Sequence, residues 1–176
     1  MKERVEVLIS SEEVDRRVAE VAEQIHRDYE GKEIYMVCIL KGSVIFMAEL
    51  AKKLKHDVTF NFMKVSSYGD ETVSSGRIKI DLDLEESVKG KDVLIIEDII
   101  DTGRTLRYLK DLLSLREPAS LKIATLLDKP DRRVADIEAD YVGFVIPDAF
   151  VVGYGLDYAQ RYRNLDYVGV LKFDEE

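Results

Sequence analysis

Hydrophobic positions along the chain follow two periods. Val14, Val18, Val21, Ala22, Ile25 and Tyr29 recur at the spacing of one helical face. Ser10 and Glu13 ahead of them form a capping-box signature, and Gly31 offers a stop. Residues 34–40 are a short apolar run rich in β-formers, which predicts a strand buried on both faces. Residues 44–55 return to helical spacing through Val44, Met47, Ala48, Leu50, Ala51 and Leu54, and 58–65 predicts another strand. Residues 66–77 are polar, rich in Ser and Gly, and have no period; they read equally as a solvated hairpin connection or as a mobile lid. Beyond them, 78–84 alternates apolar with charged residues, as an antiparallel strand with one wet face does. A fully apolar strand centre follows at Val93-Leu94-Ile95-Ile96, then a helix over 105–116 and a strand over 120–127. Shorter strand candidates lie at 141–145, 150–154 and 168–173. Strands alternating with helices predict a mainly parallel, doubly wound α/β sheet. The 176 residues carry no internal repeat and no linker, so one domain is expected.

Composition narrows the function classes. With 46% hydrophobic and 35% charged residues, the chain falls outside the disordered and low-complexity classes. Its net charge of −9 argues against a protein that coats phosphate backbone, so no nucleic-acid partner is expected. Cys38 is the single cysteine and His26 and His56 the only histidines, which excludes an intramolecular disulfide and a Cys- or His-rich metal site. Cys38, within an apolar run, reads as packing. No run approaches the ~20 apolar residues that span a bilayer, and the charged residues 1–6 lack the apolar core of a signal peptide. The expected location is the cytoplasm, with no membrane partner.

The chemistry concentrates in Val93-Leu94-Ile95-Ile96-Glu97-Asp98-Ile99-Ile100-Asp101-Thr102-Gly103-Arg104-Thr105. A buried strand runs into adjacent acids, and a third acid opens a small hydroxyl- and Gly-containing turn before a helix. In open α/β sheets, ligands bind outside the carboxyl ends of the strands. The turn would present backbone N–H groups at a helix N-terminus, where partial positive charge favours a phosphate monoester. Gly103 permits close backbone approach, and Thr102 and Thr105 add hydroxyls. The string is no P-loop, because Gly-x-x-x-x-Gly-Lys-Ser/Thr is missing. Glu97 and Asp98 could meet sugar hydroxyls or support Mg²⁺.

This string resembles the binding motif of the type I phosphoribosyltransferases for phosphoribosyl pyrophosphate (PRPP). Over nearly its whole length the chain resembles, more narrowly, the bacterial hypoxanthine-guanine phosphoribosyltransferases. Supporting strings are Leu40-Lys41-Gly42-Ser43, Ser66-Ser67-Tyr68-Gly69, Leu126-Leu127-Asp128-Lys129-Pro130, Ile146 through Tyr158, and Arg161-Tyr162-Arg163. The resemblance implies a central, mainly parallel sheet flanked by helices, with a small hood from the N- and C-terminal segments and a lid over about 66–77. It implies Mg²⁺ as cofactor and PRPP, a 6-oxopurine base and a purine nucleoside monophosphate as ligands, in a homodimer or homotetramer. It assigns Glu97 and Asp98 to the ribose hydroxyls, directly or through Mg²⁺ water, and Asp101 to the purine N7 as proton acceptor. Thr102, Gly103, Arg104 and Thr105 would hold the 5′-phosphate. Lys41, Gly42 and Arg163 would hold pyrophosphate, with a cis peptide possible at Leu40–Lys41. Lys129 would reach the purine O6, Phe150 would stack on the base, Val151 would use backbone groups on its edge, and Asp157 would support a second Mg²⁺. Ser67 and Tyr68 belong to the lid. Two positions depart from the pattern of some members: Arg104 replaces Lys, preserving phosphate attraction, and Ala149 replaces Lys, removing a cation near the base edge.

The reading from another class is a regulatory protein that senses PRPP or binds RNA on the same fold. Such a protein is expected to carry a basic face or an added DNA-binding domain, and neither is visible in the sequence. A nucleotide-binding dehydrogenase is disfavoured because no Gly-x-Gly-x-x-Gly follows an early strand.

Overall fold

The computed structural model describes residues 3–67 and 77–173. Its elements, in order, are β1 (Glu3–Ile9), α1 (Ser11–Asp28), β2 (Ile34–Ile39), α2 (Val44–Lys53), β3 (Val58–Ser67), β4 (Ile78–Leu82), β5 (Asp92–Ile100), α3 (Arg104–Ser114), β6 (Ser120–Asp128), β7 (Tyr141–Val145), β8 (Val151–Val152) and β9 (Val168–Phe173). The main sheet has the order β4-β3-β2-β5-β6-β7. All its pairings are parallel except that of edge strand β4 with β3. A second, antiparallel sheet joins β1, β9 and β8.

The apolar runs are continuous because helices cover both faces of the central strands. Neighbouring residues of a strand point to opposite faces. Met36, Cys38, Leu94 and Ile96 pack with α1 and α2 on one side. Val37, Val93 and Ile95 pack with Leu106, Leu109 and Leu113 of α3 on the other. α1 starts as its sequence dictates: Glu13 N–H donates to Ser10 Oγ at 3.2 Å and Ser10 N–H donates to Glu13 Oε2 at 2.9 Å.

The strand order defines the site. The chain leaves β2 through α2 towards β3, and leaves β5 through α3 towards β6, on opposite sides of the sheet. Adjacent β2 and β5 therefore diverge at their carboxyl ends, which opens the crevice where doubly wound folds bind ligands.

Four expectations are corrected. The strand at 92–96 continues to Ile100, so Glu97 and Asp98 lie within β5. The strand candidate at 150–154 shortens to Val151–Val152, because Gly153, Tyr154 and Gly155 all take positive φ. Their backbone turns to bond elsewhere: the Tyr154 N–H donates to the Leu165 carbonyl and that of Gly155 to Arg163, both at 2.9 Å. The break expected at residue 66 comes later, since Ser66 and Ser67 pair with Lys79 and Ile78. Tyr68 and residues 69–76 lie outside the described residues. Finally, β1 is a strand that charge concealed, although Val5, Val7 and Ile9 alternate.

Cys38 is fully buried in β2, and burial pushes its thiol up to about 12. The native protein at pH 8 is expected to leave Ellman's reagent unreacted, with one thiol titrating after unfolding in urea; rapid native reaction would show that β2 opens readily.

Candidate active site

The β5–α3 junction supplies an anion site from backbone alone. Gly103 is the N-cap of α3, at φ 81°, and no side chain caps the helix. Its first turn contains no acid, whereas α1 carries Glu12 and Glu13 there. The turn is fixed from below: the Thr102 carbonyl accepts from the N–H groups of Val134 and Ala135 at 3.0 and 3.1 Å. Thr105 and Arg104 are exposed at this end, and Thr102 is half-buried. The positive end of the helix dipole thus opens into a cleft of about 250 Å³, lined by Gly42, Glu97, Asp98, Asp101, Thr102, Gly103 and Thr105 among others.

Beside this positive end stand two carboxylates, Glu97 buried and Asp98 half-buried. Glu97 is only 8% exposed. Burial, and then the neighbouring Asp98 charge, hold its carboxyl well above the usual range. Burial also raises Asp98, opposed by the Ile99 N–H that donates to its Oδ1 at 2.7 Å and by the Arg163 charge. Register brings the Lys41 loop here, since Cys38 pairs with Ile96 in the parallel β2–β5 ladder. The Leu40–Lys41 peptide is cis, a form the resemblance left open. A Cβ on Gly42 would overlap the Asp98 carboxylate, and one on Gly155 would overlap the Gly42 carbonyl. Three segments distant in sequence thus meet with no room for a side chain between them.

The C-terminal turn brings its own polar group to this loop. Arg163 donates to the Gly155 carbonyl at 2.8 Å and lies 3.0 Å from Asp157 Oδ1. Asp157 Oδ2 accepts from the Gln160 N–H at 2.8 Å. Gln160 Oε1 accepts from Lys41 at 3.2 Å and from Arg163 at 3.3 Å, tying both cations together. Gln160 went unremarked in the sequence, where a lone amide at positive φ carries no signal.

Next to the β5–α3 turn lies the end of β6. Ile100 pairs with Asp128, and the Lys129 N–H donates to the Ile100 carbonyl at 2.9 Å, so Lys129 follows Asp128 as Asp101 follows Ile100. Lys129 is buried, yet its Nζ is 3.7 Å from its nearest ionic partner, Asp148 Oδ1. Asp101 caps no helix; its Oδ1 accepts from Arg132 Nε at 3.0 Å. Phe150 is 54% exposed, meeting only the ring of Tyr158 edge-on at 5.8 Å, which leaves a face open. The side chain of Val151 is buried in the core, and its strand pairs with β9. Ser67 sits at the end of β3, while Tyr68 falls outside the described residues. The structure therefore gathers Gly42, Glu97, Asp98, Asp101, Thr102, Gly103 and Thr105 around one cleft, with Lys41 and Arg104 next to them in the chain. Asp157 and Arg163 reach it through Gly155 and Gln160. Arg132 and Asp148 are the charged neighbours that sequence reasoning passed over.

A doubly wound sheet with an uncapped helix N-terminus and paired acids at its switch point is the architecture of a protein that binds a phosphorylated sugar. Residues 9–159 match the phosphoribosyl transferase domain, and the chain belongs to that family. It is 56% identical over 173 residues to the hypoxanthine-guanine phosphoribosyltransferase of Bacillus subtilis, covering 98% of this chain and 96% of that one. The crystal structure of a hypoxanthine phosphoribosyltransferase from Staphylococcus aureus superposes with a TM-score of 0.91 at 53% identity, over 95% of this chain and 91% of that one. A hypoxanthine-guanine phosphoribosyltransferase from Bacillus anthracis, with a HEPES molecule in its active site, gives a TM-score of 0.92 at 45% identity, over 98% and 100% of the two chains.

The Gly42–Asp98 contact yields a sharp expectation. Gly42→Ala must move either the loop or the carboxylate, a displacement of about 1–3 kcal/mol. PRPP binding, measured by calorimetry, should weaken roughly 5- to 150-fold while the circular dichroism spectrum stays native. Unchanged affinity would show that loop and strand move independently.

Proposed function

We propose that this protein transfers the phosphoribosyl group of PRPP to N9 of a 6-oxopurine, hypoxanthine and/or guanine, in purine salvage. The products are IMP or GMP and pyrophosphate. The observation that carries this reading is a juxtaposition: a non-acidic, uncapped helix N-terminus, a buried and a half-buried carboxylate, and a buried, under-paired lysine lie around the ends of β2, β5 and β6.

Each group then has a task that its surroundings suit. The N–H groups at the start of α3, with Thr102, Gly103, Arg104 and Thr105, hold the 5′-phosphate. Glu97 and Asp98 take the ribose hydroxyls, whose donors relieve two acceptors withdrawn from water. Lys41, the Gly42 backbone and Arg163 hold the pyrophosphate and stabilise its charge as the anomeric C–O bond breaks and the electron pair leaves with it. N9 supplies the pair for the new bond to the anomeric carbon. The proton left on the purine, at N7, is accepted by Asp101. Lys129 has only donors to offer and so selects O6 over a 6-amino group. Phe150 offers its open face to the ring, and the backbone at Val151 meets the base edge.

Mg²⁺ fits the donor set. Among the described residues no three His, Cys, Asp or Glu side chains converge on one point. Mg²⁺ is usually held by one or two carboxylates completed by substrate phosphate, and Glu97, Asp98 and Asp157 provide hard oxygen donors of that kind. When bound, it adds charge neutralisation for the pyrophosphate.

The whole chain works as one domain, in which the β1-β9-β8 sheet serves as the hood. Its setting is the cytoplasm; among the described residues no helix is long and apolar enough to cross a membrane. Phe60, Phe62 and Leu82, exposed along β3 and β4, suit a homodimer or homotetramer.

Two measurements test the reading. Turnover of hypoxanthine and guanine with PRPP should vanish in EDTA and return with Mg²⁺; full activity without metal would refute the metal assignment. Asp101→Asn should lower kcat by about 10²–10⁴-fold with PRPP affinity nearly constant. The side chain makes no helix cap, so a near-wild-type kcat would remove Asp101 from the proton transfer.

A further inference from the structure

At the ends of β5 and β6 and in the loops beyond β6 and β7, four charges of alternating sign stand in a row. Arg132 Nε donates to Asp101 Oδ1 at 3.0 Å, and its NH1 lies 3.6 Å from Asp148 Oδ2. The other Asp148 oxygen lies 3.7 Å from Lys129 Nζ. The order is therefore Asp101, Arg132, Asp148, Lys129. We propose that Arg132 is a positioning residue for purine recognition: its guanidinium bridges Asp101 and Asp148, and so keeps the N7 acceptor and the O6 donor apart and aimed at the base.

The physical problem it solves comes from the β5–β6 register. Asp101 and Lys129 sit next to each other at the strand ends, with opposite charges. Left alone, a carboxylate and a buried ammonium at that spacing would close on one another, and each would lose the group it must offer to the purine. In the structure each is paired elsewhere, Asp101 with Arg132 and Lys129 with Asp148. One planar guanidinium can serve both carboxylates at once because its N–H groups point in fixed, divergent directions.

The neighbouring Arg133 does a different job. It bonds the Asp101 and Ile137 carbonyls at 3.3 and 2.6 Å and pairs with Asp128, so it fastens the loop backbone. Arg132 makes no such backbone contact; its side chain is 48% exposed and its ion pairs lie at the surface of the cleft. Exposed pairs of this kind add little to stability. One partner of Arg132, Asp101, is the proposed N7 acceptor, and the other, Asp148, is the ionic partner of Lys129, the proposed O6 donor.

This inference rests on that reading, and the experiment separates the two. Steady-state rates are measured for the full-length protein with hypoxanthine and PRPP, for wild type, Arg132→Gln, Arg132→Lys, Asp148→Asn and the Arg132→Gln/Asp148→Asn double variant. Arg132→Gln is expected to raise the purine KM by about 10- to 150-fold, the range of one charge-assisted contact. The PRPP KM and the melting temperature should stay near wild type. Arg132→Lys should recover only part of the loss, since an ammonium on a flexible stem lacks the rigid fork. Asp148→Asn should raise the purine KM too, and the double variant should be no worse than the more impaired single variant, because both changes break one chain. A purine KM unchanged in Arg132→Gln, a parallel rise in both KM values, or full rescue by Lys would each overturn the proposal. A wild-type protein that turns over no 6-oxopurine would overturn the functional reading, and this inference with it.

Discussion

Two carboxylates stand side by side at the end of a strand whose earlier residues are buried on both faces, and the site is organised around the charge they bring inside. Burial raises the proton affinity of both Glu97 and Asp98, and the Asp98 charge raises Glu97 further. Backbone N–H groups, that of Ile99 among them, oppose this, and the field of Arg163 and a hydrogen bond with Glu97 also lower Asp98. Residues that approach them accordingly lack bulk. Gly42 lies against Asp98, and Gly155 lies against Gly42. Hydroxyls or cations brought by a ligand are the kind of group that would compensate acceptors withdrawn from water.

The same strand ends in the opposite electrostatic sense. α1 neutralises its N-terminus with Ser10, Glu12 and Glu13, whereas α3 begins at a glycine with no acid in its first turn. One end of one crevice is thus acidic, and the other carries the positive end of a helix dipole. In a chain of net charge −9 the positive potential there is local, built from peptide dipoles and a few basic side chains.

Much of this was legible from residue order. The capping box at Ser10, the apolar strand centres and the acid–acid–turn–helix string follow from short-range rules, and each lies where those rules place it. What escaped depends on partners distant in sequence. β1 reads as a charged tail until Val5 is seen opposite Leu171. The strand expected through Tyr154 stops because the backbone there is captured by residues 163–165. Gln160 and Arg132 are ordinary polar residues by composition, and only their three-dimensional neighbours single them out. Phe150 lies in an apolar stretch of the sequence, and its exposure is seen only in the structure.

The pairing of β1 with β9 has a consequence for how the protein is made. Glu3 lies opposite Phe173, so nearly the whole chain must emerge before this ladder can form. At about 5–20 residues per second, β1 leaves the ribosome roughly 10–30 s ahead of its partner. In that interval Val5, Val7 and Leu8 have no strand beside them, and the main sheet, whose strands are all complete by Val145, can already assemble. Gly155, which packs on Gly42, and Arg163, which bonds Gly155, arrive with the late segment. The turn at the start of α3 can thus fold before these neighbours of the cleft are in place, and long-range strand pairing is a late step in completing the enzyme.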